Sequence, residues 1–156
     1  MADARYGINI LGELSDAQAL PDNTSADSTN MVFVGGLTNG KLYIQVRACS
    51  AISIADSKAL TIELETYSSD TAASAIAPFS HDGAAHSHGS TSMRIFYVLA
   101  SGGAVTYDAG EIIVDVAVPD QMMALFSTPH TYVQLKYTTT ANESSETVDA
   151  FVYSRN

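Results

Sequence analysis

Period-2 alternation, repeated in short segments that turn-forming residues separate, constrains this chain more than any other feature. Leu42-Tyr-Ile-Gln-Val-Arg47 sets Leu42, Ile44 and Val46 on one face and Gln45 and Arg47 on the other. Leu60 to Thr66 repeats the pattern, with Leu60, Ile62 and Leu64 facing a core and Thr61, Glu63 and Glu65 facing water. A helical repeat would bring Leu60 and Glu63 to the same side, so the strand template fits and the helix does not. Glu111 to Val118 alternates through Ile112, Val114, Val116 and Val118 and stops at Pro119. Asn30 to Val34, Tyr132 to Thr138 and Thr147 to Tyr153 read as further strands, and Arg94 to Leu99 is apolar on both faces, as a central strand is. Asn39-Gly40 is a hairpin-turn dipeptide.

Seven or eight short strands with one wet face and no interleaved helices imply antiparallel sheets, which bury their apolar faces against each other. The expected fold is all-β: a single antiparallel β-sandwich, jelly-roll-like, with an extended N-terminal arm. Residues 29–156 make up the sandwich. Residues 1–28 form the arm and loop, an apolar piece from Ile8 to Leu14 followed by a Pro-, Asp-, Asn- and Ser-rich stretch to Ser28. Asp120 to Phe126 is the best candidate for a short helix. The 156 residues fit one domain and suffice for a core without disulfide staples.

Composition then excludes whole classes of function. Seventeen acidic against seven basic side chains give a net charge of −10. Seven scattered cations cannot build the dense basic face that phosphate neutralisation needs, so a nucleic-acid partner is not expected. The same shortage argues against anionic membranes, and no apolar run approaches the ~18–20 residues of a membrane span. The N-terminus lacks a basic region followed by a continuous apolar stretch, so no signal peptide is expected and synthesis is cytoplasmic. Cys49 is the one cysteine, which rules out an intrachain disulfide; at the end of the Leu42–Val46 run it is expected to pack.

Candidates for chemistry are few. His81, Asp82, His86 and His88 fall within eight positions of the Ser68–Ser92 interval, an irregular stretch of small residues. An imidazole–carboxylate set can bind zinc, yet no spacing here matches a structural zinc pattern, and the bland reading is a solvated loop. His130, after Pro129, reads as structural. Glu63 and Glu65 share one strand face about 6–7 Å apart, a glycosidase-like separation in principle and two acids on a wet strand in the plainer reading. Asp108 to Glu111 reads as a turn entering a strand. Nucleophile-elbow, phosphate-loop and zinc-protease patterns are missing from the sequence. The chain is therefore read as no enzyme, with no catalytic, cofactor-binding or metal-binding residue assigned and no cofactor. Tyr43, Tyr132, Phe151 and Tyr153 fall on the parity opposite the inward aliphatics. Aromatic side chains there imply that this face is covered, either by a partner surface or by a further layer of the same chain such as the arm.

Leu14-Ser-Asp-Ala-Gln-Ala-Leu20, then Ser28-Thr-Asn30, Leu42 to Arg47, Leu60 to Thr66 and Tyr132 to Thr138 resemble the podovirus capsid cement (decoration) proteins. These blocks run in order over most of the chain from Leu14 to Val152, whereas the Ser68–Ser92 interval is longer than the family pattern. The resemblance implies a jelly-roll protein of the bacteriophage virion that sits on the outer capsid surface, bridges neighbouring major capsid subunits and performs no chemistry. Its partner would be the major capsid protein, with a homo-oligomer, dimer or trimer, at local symmetry axes. The alternative is a glycan- or receptor-binding β-sandwich module on a virion or tail, using the histidine loop.

Overall fold

A computed structural model describes residues 2–3, 8–34, 41–67, 91–118, 132–141, 143 and 145–155. Among them the regular elements are all strands: β1 (Ala2–Asp3), β2 (Ile8–Ala19), β3 (Ser25–Asp27), β4 (Val32–Phe33), β5 (Leu42–Ala48), β6 (Ile52–Ile54), β7 (Ala59–Tyr67), β8 (Thr91–Leu99), β9 (Val105–Tyr107), β10 (Ile112–Ala117), β11 (Tyr132–Thr139) and β12 (Thr147–Arg155). One sheet has the order β1-β2-β12-β5-β10. A second has the order β3-β11-β7-β8, with β4 also paired to β11, and β6 and β9 form a small third pair. Every pairing is antiparallel. The expected all-β antiparallel sandwich is therefore the fold.

Alternation builds the core. Leu42, Ile44 and Val46 of β5, Leu60, Ile62 and Leu64 of β7, Val133 and Leu135 of β11, and Val148, Ala150 and Val152 of β12 merge into one buried cluster spanning both sheets. Each fully buried aliphatic side chain of this kind stabilises the fold by roughly 1.5–3 kcal/mol before ordering costs. At one lateral edge β2 and β4 come together, and Gly12 makes this possible: a Cβ there would lie 2.6 Å from Val32 Cγ1. At the opposite edge β8 meets β10.

Several expectations are corrected. Residues 8–27, read as an arm outside the sandwich, supply β2 and β3 of its two sheets. Leu14 and Leu20 are buried, and the side chains of Ser15 and Gln18 between them are bonded internally. Ser15 Oγ lies 2.8 Å from Tyr137 Oη and donates to Gln18 Oε1, which also accepts from Thr29 N. Register shifts in the β2–β12 ladder and a left-handed Ala17 (φ 45°) break the alternation that would have marked β2 in the sequence. Among the described strands β8 is an edge strand, not a central one, and its second apolar face stays in solvent at Tyr97 and Leu99. An irregularity between Ile112 and Val114 turns Ile112 outward and Ile113 inward. Asn39-Gly40 lies outside the described residues, and its flanking strands β4 and β5 belong to opposite sheets. Asp120 to Phe126 is likewise outside the described residues. Cys49 is exposed: it lies just past the end of β5, in the bend that follows inward Ala48.

Candidate functional site

The histidine cluster (His81, Asp82, His86, His88), His130 and residues 68–90 lie outside the described residues. Among the described residues no group of three or more His, Cys, Asp or Glu side chains could hold a metal ion. No helix among them is long and apolar enough to cross a membrane. Glu63 is half-buried on β7, while Glu65, expected on a wet face, is only 3% exposed and lies 3.8 Å from Lys136 Nζ on the neighbouring strand. The two carboxylates thus occupy unequal surroundings on the sheet. Asp108 N donates to Glu111 Oε2 (2.9 Å) and Glu111 N to the Asp108 carbonyl, so this pair closes the turn into β10.

Of the aromatic residues of opposite parity, Tyr43 and Tyr153 cover each other, while Phe151 is half-buried on β12. Tyr43 and Tyr153 face each other across β5 and β12 and stack at 5.3 Å with 23° between planes. Arg155 lies 4.4 Å above the Tyr43 ring and donates to Tyr153 Oη (2.8 Å) and to Asp115 Oδ2 (3.1 Å). Tyr153 Oη donates to Asp115 Oδ1. Burial first, then that bond to Asp115, raises the Tyr153 phenol above its ordinary value, while Arg155 works in the other direction. This cation–aromatic–carboxylate cluster leaves Tyr153 3% exposed with cover drawn from the sheet itself. Tyr132 meets Phe33 edge-on at 5.3 Å.

A second titratable group escaped the sequence reading. Glu143 and Glu146, in the turn before β12, line a 390 Å³ pocket with Asn23, Ser53 and Lys58. Ser53 N donates to Glu146 Oε1 (2.9 Å). Burial pushes the Glu143 carboxyl up to about 8, helped by its hydrogen bond to Glu146 and by the negative charges of Glu146 and Asp22. Two acids three apart in a turn are too common a pattern to have marked the pair; folding makes it by bringing β6 and the Asp22–Asn23 bend alongside.

The remaining feature is apolar. Among the described residues, the large hydrophobic side chains that stay exposed are Leu11 (37%), Phe33 (60%), Tyr97 (50%), Leu99 (51%) and Ile112 (46%). They are not scattered. Leu11 on β2 and Phe33 on β4 mark one lateral edge of the sandwich, and Tyr97 and Leu99 on β8 with Ile112 on β10 mark the other. Three strand spacings separate the edges within each sheet, roughly 14 Å. The first edge also holds an open groove of about 610 Å³ between β2 and the Thr29–Phe33 segment.

No protein-family model matches the chain, and no curated protein or solved structure is significantly similar to it. Function must be read from the surface. The described residues offer two apolar edges on a rigid sandwich, and that arrangement can hold two things at once.

Proposed function

We propose that this chain is a virion structural protein, a capsid cement or decoration protein. It binds the outer surface of a tailed-phage head and bridges neighbouring major capsid subunits. The observation that carries this reading is that, among the described residues, the exposed large apolar side chains lie on strands at the two opposite edges of the sandwich. One edge would make an adhesive module; two make a bridge. Each contact alone is small, but a rigid body that engages both turns the second contact into an intramolecular event, so weak edges act together around a symmetric shell. A homo-oligomer at a local symmetry axis multiplies the edges further. The net charge of −10 suits the outside of a head, away from packaged genome.

The strand order supports a jelly-roll reading of the sandwich. Taking β3 and β4 as one broken strand and omitting β1, β6 and β9, eight strands remain. The first, eighth, third and sixth form one sheet, and the second, seventh, fourth and fifth form the other. The alternative, a glycan- or receptor-binding module, would set aromatic faces against sugar rings. Tyr43 and Tyr153 instead stack on each other beneath Arg155, so that face lends the alternative no support.

Co-sedimentation with heads assembled from the major capsid protein alone tests the proposal. Wild-type protein is expected to pellet with heads and raise their resistance to heat. Phe33→Ser at one edge, and the pair Tyr97→Ser and Leu99→Ser at the other, are each expected to weaken binding about tenfold or more, since either change removes one arm of the clamp. Heads that neither bind the protein nor gain heat resistance from it would overturn the assignment.

A further inference from the structure

We infer that the β2–β4 groove is a strand-docking site, built to take an extended segment of a partner protein that carries a basic side chain. The inference deepens the bridging reading, because it names what one of the two edges holds. Its starting point is Gln134, which lines the groove and is 93% buried, 7% of it remaining exposed. Its Nε2 donates to the Ser28 carbonyl (3.0 Å), and a carbonyl can only accept, so the orientation of the amide is settled. That leaves Oε1 buried with no donor among the described residues. Buried acceptors are nearly always paired in native proteins, and this orphan, closed off within the groove wall, gains its missing N–H when a docked segment parts that wall.

The walls say which kind of N–H. The outer edge of β2 is paired by β1 only at Ile8 and Asn9, so from Leu11 to Glu13 it has no strand partner among the described residues. β4 pairs with β11 on one side and has no strand partner on the other among the described residues. Unpaired strand edges present a backbone hydrogen-bonding template, and an extended chain supplies the complementary groups at the matching spacing. The groove is open to solvent along its length, unlike the enclosed pockets that bury most of a small ligand. Leu11 and Phe33 offer apolar ground for alternate side chains of such a segment, and exposed Glu13, on a chain of net charge −10, selects a Lys or Arg.

The test is an NMR titration of the free, isotope-labelled full chain with the capped pentapeptide acetyl-Thr-Val-Lys-Val-Thr-amide, paired with the same peptide N-methylated at both valines. Because it uses no capsid, it succeeds or fails apart from the cementing role. Saturable shifts are expected at the amides of Leu11 to Glu13 and Met31 to Phe33 and at the Gln134 side-chain amide. The Gln134→Leu variant should weaken binding about tenfold, the effect of one lost hydrogen bond, and the N-methylated peptide, which lacks two backbone donors, should bind about tenfold or more weakly. Should Gln134→Leu fail to fold, the peptide pair on the wild-type chain decides. The inference is overturned by the absence of saturable shifts at millimolar peptide, by equal binding of the N-methylated peptide, or by shifts confined to other surfaces. It is also overturned by concentration-dependent shifts at the groove without peptide, which would make the occupant a second copy of this chain.

Discussion

Glu143 shows how one side chain makes stability depend on pH. In the folded protein its carboxyl keeps its proton up to about 8, because burial and the facing acids Glu146 and Asp22 disfavour the charge. Lys58 is the cation in the same pocket. The unfolded chain releases that proton near the ordinary value of 4.5. A raised folded value means that the folded state binds the proton more tightly. Stability is therefore greatest below about pH 4.5 for this group, falls as pH rises from there to about 8, and levels off above. Glu143→Gln keeps the shape and a donor towards Glu146 but cannot ionise. Thermal melts should show the variant gaining on wild type between pH 5 and pH 8, by roughly 1–2 kcal/mol or a few degrees in melting temperature. A difference that does not change with pH would contradict this. Cys49 was expected to pack from its residue type, yet it follows inward Ala48 and is exposed. Glu65 was not legible, since its pairing with Lys136 comes from the neighbouring strand.

At the scale of elements, regular alternation marked β5, β7, β11 and β12, and their inward aliphatics are the core. β2 hid because its ladder with β12 shifts register three times and because Ser15 and Gln18 are held by distant partners rather than by water. Period-2 reasoning assumes an unbroken pleat, and every bulge reverses the parity that follows. The same assumption placed Ile112 inward, where the irregularity in β10 buries Ile113 instead. Gly12 is the element-scale device of the candidate site, because it lets β4 lie against β2. Gly12→Ala would set a methyl 2.6 Å from Val32 Cγ1 and 2.7 Å from its Cγ2, and that branched side chain has little room to yield. The expected cost is about 1–3 kcal/mol in chemical denaturation, with the slope of the transition unchanged. An unaltered midpoint would mean that the two strands are not held this closely.

For the whole molecule, the fold class followed from short alternating segments and the lack of interleaved helices. The distribution of exposed apolar side chains did not, because it depends on which strands end up at the edges. Arg94 to Leu99 reads as a central strand from composition, yet β8 lies at an edge, and this displacement creates half of the proposed bridge. Order along the chain does not disclose order across a sheet when the connections cross between sheets. The claim that the molecule is a two-edged clamp is tested most directly by hydrogen–deuterium exchange, comparing the free protein with the protein bound to phage heads. Slowed exchange is expected at both edges of the same chain, in Leu11–Phe33 and in Tyr97–Ile112, with the central strands β5 and β7 unchanged. Protection at one edge alone, or at neither, would contradict it.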